Sequence, residues 1–288
     1  MMATISRQLG AGGDEIARKL AAELGWRLLD NSVVESLLME RGFSQTAFGI
    51  FNERRPDLWH RISTEKERYL HFLKLVSYGF ARRGNCVVLG RGGQVLFGSV
   101  PGIIRVRVVA PLECRVQRVK EASGGDEQRA RQLVLQSDNE RTGFYRFLLH
   151  TDWDCPDLYE LIVNSQFISS RTVVDLILKA LDSQEVAGKK GAALGELEQL
   201  YLVQKAVIAI LFEQKLPIQS LEIEVSDGTV TLKGTAQDHP SIERCGETAA
   251  GVFGKKTIHN EISFAPRFVE MLGGIHHDAP VGAAGSEN

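Results

Sequence analysis

The chain has 288 residues, of which 43% are hydrophobic and 24% charged, a composition typical of soluble globular proteins. Lysine and arginine (34) nearly balance aspartate and glutamate (36), so the formal net charge of −2 does not favour nucleic acid or an anionic membrane. Four widely spaced cysteines without a CxxC pair exclude a disulfide framework and a zinc site as working hypotheses. We expect a cytoplasmic protein, because no secretory pattern and no apolar run of about 18–20 residues is present.

Residues 3–180 read as alternating strands and helices. A short apolar start before Ser6 predicts a strand, and apolar residues at every fourth position predict a helix over 14–24. The runs WRLLD, NCVVLG, IIRVRVVA and YELIVNS predict further strands, with helical segments between them. This alternation predicts an α/β domain over residues 1–182, with a parallel sheet covered by helices on both faces.

The remainder of the chain has a different pattern. Residues 183–196 are small, polar and rich in glycine, which is typical of a linker. Residues 197–265 follow the order α-β-β-α-β, and Asp227-Gly228 is a strong signal for a hairpin turn. We therefore predict a small α+β domain over 197–265, followed by a disordered tail at 266–288.

The stretch SRQLGAGGDEIARKL predicts a phosphate-binding loop between the first strand and the first helix. Gly10, Ala11, Gly12 and Gly13 allow backbone N–H groups to approach a ligand closely, and the N-terminus of the next helix adds partial positive charge. A purely structural turn is the alternative. A standard P-loop, G-x-x-x-x-G-K-[ST], has lysine and a hydroxyl residue where this chain has Gly13 and Asp14.

Two side chains beside the loop are candidates to take over the roles of the missing lysine and hydroxyl. Arg7 directly precedes the loop and is the first candidate to replace the lysine, with an ordinary surface arginine as the alternative. Asp14 either holds Mg²⁺ or caps the N-terminus of the helix. Arg18 and Lys19 are more consistent with a solvated helix face.

Several long segments occur in the order found in the cytidylate kinase-like family, a branch of the P-loop nucleoside monophosphate kinases. They are TISRQLGAGGDEIARKLAAELGWRLLD, GNCVVLGRGGQVL, VRVVAPLECRVQRV and SDNERTGFYRFLLHTDWDCPDLYELIVNS. The resemblance covers nearly all of residues 3–180, and a Gly-Gly-polar loop is common in this branch. It implies a phosphotransferase that uses ATP and Mg²⁺, with CMP or dCMP as the acceptor.

The resemblance also assigns roles to three arginines. Arg91, in LGRGG, matches the arginine that holds the nucleoside monophosphate, although the aspartate that follows it in typed cytidylate kinases is Gly92 here. Arg115 and Arg118 match the arginines that open the kinase lid and close over the transferring phosphoryl group. Their spacing of three residues places both on one helix face.

Further acceptor contacts are implied by resemblance. Asp138 and Arg141, in SDNER, match an Asp-x-x-Arg pair whose arginine meets phosphate and whose aspartate orients the base or sugar. An exposed salt bridge is the alternative for this pair. Asp30 follows the second strand, where typed enzymes have an aspartate near the monophosphate. Arg54 and Arg55 either pair with phosphate or belong to a solvated charge cluster.

The segments VSDGTVTLKGTA and GVFGKKTIHNEISF resemble the BON domain, a module linked to phospholipid or protein binding. The resemblance implies a regulatory or interaction domain without catalytic residues. Two functions remain open at this point. The arginines favour an active kinase, whereas the missing lysine and hydroxyl favour an inactive nucleotide sensor whose BON domain reports the bound state.

Overall fold

The computed structural model of the chain describes residues 1–44 and 63–265. Arg54, Arg55 and the predicted tail at 266–288 lie outside these described residues. Backbone contacts divide the chain into two compact units, Met1–Gln214 and Lys215–Asn288. Each unit has its own sheet. The domain boundaries expected from the sequence, 1–182 and 197–265, remain predictions.

The first unit is built on a parallel sheet, as predicted. Among its described residues, five strands follow the order β2-β3-β1-β4-β5. The strands are β1 (Met2–Arg7), β2 (Arg27–Leu29), β3 (Cys86–Leu89), β4 (Ile103–Val109) and β5 (Leu161–Asn164). The helices that connect and follow them are α1 (Gly13–Leu24), α2 (Asn31–Met39), α3 (Ser63–Ala81), α4 (Gly93–Leu96), α5 (Leu112–Ser123), α6 (Glu127–Leu148) and α7 (Ser170–Leu181).

Two helical layers cover this sheet because successive side chains of a strand point to opposite faces. Ala3 and Ile5 of β1 belong to a buried cluster that includes Leu20 of α1. Met2 belongs to a second cluster, which includes Leu73 of α3. All six residues of β1 are buried, so this central strand is a rigid base for the loop that follows it.

The strand register brings several loops to one edge of the sheet. Ile5 of β1 is aligned with Leu89, near the end of β3, and Arg7 is aligned with Val108, near the end of β4. The loops that leave these three strands therefore meet at the carboxyl edge. In open α/β sheets this edge, beside the central strands, is where ligands bind.

A long helix lies in the segment where the sequence predicts a linker. Residues 183–196 contain α8 (Gln184–Ala187) and the beginning of α9 (Lys190–Ile208), which continues into a π-helical turn at Ala209–Glu213. A small, polar composition does not reveal such a helix. Tertiary packing provides most of the stability of helices in proteins, and this packing involves residues far away in sequence.

Helix α9 packs against α3. Leu197 and Ile208 are buried in the same core cluster as the inner face of α3. Arg82, which follows α3, donates from Nη1 to both carboxylate oxygens of Glu198 at 2.7 and 2.8 Å. Its guanidinium also lies 4.0 Å from the ring centroid of Tyr201. These contacts make α9 part of the core of the first unit.

The second unit contains β6 (Ile218–Ser226), β7 (Thr229–Ala236), α10 (His239–Phe253), β8 (Thr257–Asn260) and β9 (Ser263–Phe264). β6 and β7 form the predicted antiparallel hairpin, and both turn residues, Asp227 and Gly228, have the positive φ that a tight hairpin turn requires. β7 pairs in parallel with β8 and β9. In the part of the chain that the structure describes, no helix is long and apolar enough to cross a membrane.

Candidate functional site

The loop between β1 and α1 has a backbone that only glycine adopts easily. Gly10 and Gly12 have φ values of +80° and +84°. A Cβ atom at position 10 would lie 2.7 Å from the backbone oxygen of Arg115, whereas one at position 12 would meet no heavy atom within 4 Å. Gly10 therefore fits tightly against α5, while the open space at Gly12 leaves its backbone accessible to a ligand.

Arg7 and Asp14 form a bidentate ion pair beside this loop. Arg7 donates from Nε to Oδ2 of Asp14 at 3.2 Å and from Nη2 to Oδ1 at 2.9 Å. Arg7 is 7% exposed, and the Asp14 side chain is 44% exposed. Gly12 is the N-cap residue of α1, so Asp14 does not cap the helix and its carboxylate pairs with arginine instead.

The electrostatic setting keeps Asp14 ionised. Partial burial acts to raise the pKa of its carboxyl group, but the hydrogen bonds and charge of Arg7 outweigh burial. The positive charges of Arg141 and Arg18 add to this effect, so the pKa lies below the ordinary value of 3.8. An ionised, partly exposed carboxylate is a type of ligand that Mg²⁺ prefers.

Acid is expected to remove the stabilisation from this pair. Because folding lowers the pKa of Asp14, the contribution is complete above the ordinary value of 3.8 and is lost as the pH falls through the lower folded-state pKa. Urea unfolding of wild type and Asp14→Asn should give free energies that converge between about pH 6 and pH 2. Glu40→Gln, on the surface, is the control. A gap that stays constant with pH contradicts the prediction.

Two cavities of ligand size lie on either side of the loop. The first has a volume of about 930 Å³ and the second about 590 Å³. Leu9 and Asp14 line both cavities, so the loop forms the wall between them. The first is lined by residues 9–12, 14–16, 18–19, 118–119, 121–122, 165 and 168–171. The second is lined by residues 7, 9, 14, 31, 35, 133, 136–137 and 140–141.

Arg118 and Ser165 hold the loop backbone beside the first cavity. Arg118 donates from Nη1 to the carbonyl of Gly10 at 3.3 Å and from Nη2 to the carbonyl of Ser165 at 2.7 Å. The hydroxyl of Ser165 donates to the carbonyl of Ala11 at 2.7 Å. Two loop carbonyls are thus satisfied by protein donors, which fixes the loop conformation before any ligand binds.

Arg115 lies underneath the loop and is only 5% exposed. It donates from Nε to the carbonyl of Ala110 at 3.0 Å and from Nη1 to Oδ2 of Asp138 at 2.9 Å. The same Nη1 lies 3.5 Å from the carbonyl oxygen of Leu9. Neither Arg115 nor Asp138 is among the described residues that line the two cavities. Through Arg115, the loop is therefore connected to Asp138 of α6.

Arg91 reaches the second cavity through another residue. Its side chain is 3% exposed and donates from Nη2 to Oε1 of Glu35 at 2.9 Å. Its Nη1 lies 3.4 Å from the hydroxyl oxygen of Tyr69 on α3. Asp30 caps α2, because its Oδ1 accepts a hydrogen bond from the backbone N–H of Val33 at 3.1 Å. In this arrangement Glu35, rather than Arg91 or Asp30, faces the cavity.

Arg141 is the second arginine that lines the smaller cavity, together with Arg7. It is 8% exposed and donates from Nη1 to the hydroxyl of Ser137 at 2.8 Å, one helical turn earlier on α6. The structure thus gathers Arg7, Asp14 and Arg141 around one cavity, as proximity to a common ligand would require. Arg118 and the glycine loop line the other.

Sequence reasoning did not identify Glu35 or Ser165. Glu35 is four residues after Asn31, which also lines the smaller cavity, and this spacing places both on one face of α2. That spacing was the available signal. Ser165 follows β5 directly, at the same carboxyl edge as the loop, so its position in the α/β pattern was its only signal.

A five-stranded parallel sheet with a glycine loop after its central strand defines a P-loop kinase-type fold. The family model for the cytidylate kinase-like family matches residues 2–166, and the model for the BON domain matches residues 203–266. The chain belongs to the cytidylate kinase-like family. The fusion of the two domains, expected from resemblance, is thereby confirmed.

Individual relatives are distant. A cytidylate kinase of Archaeoglobus fulgidus is 27% identical over 189 residues, which cover 65% of this chain and 97% of that protein. A cytidylate kinase of Ignicoccus hospitalis is 28% identical over 179 residues, covering 62% and 96%. Among solved structures, an uncharacterized protein from Eubacterium ventriosum has 20% identity and a TM-score of 0.49, covering 63% of this chain and 98% of its own.

Proposed function

We propose that this protein transfers the γ-phosphoryl group of ATP to a nucleoside monophosphate, with CMP or dCMP as the acceptor. The observation that supports this best is the pair of cavities that share Leu9 and Asp14. A phosphotransferase needs separate places for donor and acceptor that meet where the phosphoryl group passes. Family membership and the names of the relatives favour the same reaction class.

The larger cavity takes ATP in this proposal. The backbone N–H groups of residues 10–13 and the N-terminus of α1 bind the phosphates. Arg118, which already contacts the loop, lies beside them and lines this cavity together with Ser165. Arg118 is the arginine of this pair that lies where it can close over the transferring phosphoryl group. Arg115, which is buried and is not among the described residues lining either cavity, supports the loop through Ala110 and Asp138, and its own closing role stays a prediction.

The smaller cavity takes the nucleoside monophosphate. Arg141 binds its phosphate, while Asp138, which is outside the described lining of this cavity, acts through its hydrogen bond with Arg115. The role that the resemblance implies for Asp138, to orient the base or sugar, stays a prediction. Arg91 acts through Glu35, while Asp30 fixes the start of α2. An oxygen of the acceptor phosphate forms a bond to the γ-phosphorus as the bond from that phosphorus to the β–γ bridging oxygen breaks, and ADP leaves. The protein contributes position and positive charge.

Asp14 fits the requirement for Mg²⁺. Its carboxylate is ionised, partly exposed and adjacent to both cavities. Within the described ranges, no group of three or more His, Cys, Asp or Glu side chains is arranged to hold a metal ion. Proteins commonly bind Mg²⁺ through one or two carboxylates together with substrate phosphates and water, so the single carboxylate of Asp14 beside the loop is compatible with this ion. When bound, Mg²⁺ neutralises charge on the β- and γ-phosphates.

A second candidate function is nucleotide sensing without turnover. The absence of the motif lysine and hydroxyl at positions 13 and 14 favours it. In that case the domain binds nucleotide, and the BON domain, which we propose binds a protein or a phospholipid, reports the bound state. Both versions of the proposal place the protein in the cytoplasm.

Turnover and binding on the same sample separate these functions. Purified full-length protein with ATP and Mg²⁺ is assayed against CMP, dCMP, UMP, AMP and GMP, and ATP binding is measured by calorimetry. We expect ADP formation that depends on CMP or dCMP. ATP binding without turnover on any acceptor would support the sensor instead. A protein that neither binds ATP nor turns it over rules out both.

A further inference from the structure

The side chain of Arg7 is packed between two glycines. A Cβ atom at Gly13 would lie 2.4 Å from Cβ and 2.7 Å from Cγ of Arg7. A Cβ atom at Gly90 would lie 2.4 Å from Nη1 of Arg7. The arginine therefore runs from the end of β1 past Gly13, and its guanidinium lies beside Gly90 and Asp14. No side chain at position 13 is compatible with this path.

The two residues in contact occupy the two ends of the standard motif. When G-x-x-x-x-G-K is aligned so that its second glycine is Gly12, its lysine falls on Gly13 and its first glycine falls on Arg7. The standard loop thus has glycine at the first of these positions and a cation at the last. This chain has the cation first and the glycine last.

We infer that Arg7 supplies the positive charge that a P-loop lysine supplies, and that Arg7 and Gly13 are a reciprocal exchange of cation and glycine. The inference rests on the proposed function. Because positions 7 and 13 lie this close together, a glycine at the first position would leave room for a lysine at the last. In this chain, glycine at position 13 leaves room for the Arg7 side chain, which starts from the neighbouring strand.

The position of the Arg7 guanidinium agrees with this role. Arg7 lines the smaller cavity, and its partner Asp14 lines both cavities. The cation therefore lies at the wall between donor and acceptor, where the transferring phosphoryl group must pass. A planar guanidinium can hold the Asp14 carboxylate along one edge and donate to a phosphate oxygen from another, which the point charge of lysine does not do. A group anchored on a buried strand is held rigidly in that place.

A double-variant experiment on the full-length protein tests the exchange. The proteins are wild type, Arg7→Gly, Gly13→Lys and the double variant Arg7→Gly/Gly13→Lys. ATP binding by calorimetry should weaken about 100-fold in Arg7→Gly, because a charged phosphate contact is lost. Gly13→Lys should be impaired by the collision with Arg7. The double variant restores the standard arrangement and should recover to within about tenfold of wild type.

Urea unfolding without nucleotide gives an independent readout. Gly13→Lys should unfold at lower urea than wild type, and adding Arg7→Gly should raise its midpoint, since the collision is relieved. Arg7→Lys, which keeps the charge without the fork, should bind ATP with intermediate affinity.

Three results would overturn the inference. One is a folded Arg7→Gly protein that binds ATP as wild type does, which would leave Arg7 only a structural partner of Asp14. Another is a double variant no better in ATP binding or in urea midpoint than the worse single variant. If wild type does not bind ATP at all, the proposed function and the charge role of Arg7 fail together, whereas the urea midpoints still report whether positions 7 and 13 exclude each other.

Discussion

A chain that ends at Gly188, just before α9, is expected to lose the cooperative fold of the first unit. Ala193, Leu197 and Ile208 of α9 are buried in the core cluster that contains α3. Removing a buried leucine or isoleucine side chain costs about 2–5 kcal/mol. The loss of the whole helix therefore approaches the total stability of a typical domain, about 5–15 kcal/mol.

The measurement compares a chain of residues 1–188 with one of residues 1–214. The longer chain should show one urea transition, and the shorter one should be insoluble or lack a cooperative transition. In the full-length protein, Leu197→Ala should lower the unfolding free energy by about 2–5 kcal/mol. Gln199→Ala, at an exposed position of the same helix, should change it by less than about 0.5 kcal/mol. Equal urea midpoints for the two truncated chains would show that α9 does not belong to this core.

This packing changes how the two domains are connected. The BON family model begins at residue 203, inside α9, whereas backbone contacts assign the chain as far as Gln214 to the first unit. The same helix thus matches the second domain in sequence and is part of the core of the first. A cut at the domain boundary predicted from sequence, residue 183, is therefore expected to remove a helix that the first unit needs for its core.

The parts of the fold that were predictable depend on local sequence. The apolar pattern that predicts a helix over 14–24 and the Asp227-Gly228 turn each act over a few residues, and the structure has the corresponding elements. The glycine loop was predictable because Gly10 and Gly12 have positive φ values that glycine adopts most easily, so glycines mark the loop in the sequence. The position of α9 was not, because its buried face is defined by α3, more than 100 residues away in the chain.

The sequence indicated which residue types belong to the candidate site, but not which of these residues contact each other. The arginines stood out in the sequence, yet nothing local indicates that Arg91 meets Glu35, 56 residues away, or that Ser165 meets Ala11, 154 residues away. Such pairs arise because parallel strands bring distant loops to one edge of the sheet. The exchange between Arg7 and Gly13 required coordinates as well, since it depends on a Cβ position that glycine lacks.

Replacing Arg141 should have the largest effect on phosphoryl transfer. Arg141→Met keeps most of the aliphatic volume of the side chain and removes the cation from the acceptor cavity. Because Arg141 holds the acceptor phosphate in this proposal, and a reactant displaced by about 1 Å can cost about 10²-fold in rate, we expect kcat/KM with CMP to fall by at least about 10²-fold. ATP binding should remain near the wild-type value, because Arg141 belongs to α6 and not, as Arg7 does, to the strand and glycine loop on which the ATP phosphates are proposed to lie. Single-turnover transfer and calorimetry measure the two effects separately.

The matched control is Arg131→Met on the same helix. Arg131 pairs with Glu113 at the surface, with Nη1 donating to Oε1 at 2.9 Å, and a pair of this kind contributes about 0–1 kcal/mol to stability. The Arg131→Met substitution removes the same charge from α6, and position 131 is not among the described residues that line the smaller cavity. Turnover should therefore stay within about twofold of wild type. If both variants lose activity equally, the effect is one of net charge or helix stability. If neither loses activity, the acceptor does not bind where Arg7 and Arg141 meet, and the smaller cavity is not the acceptor site.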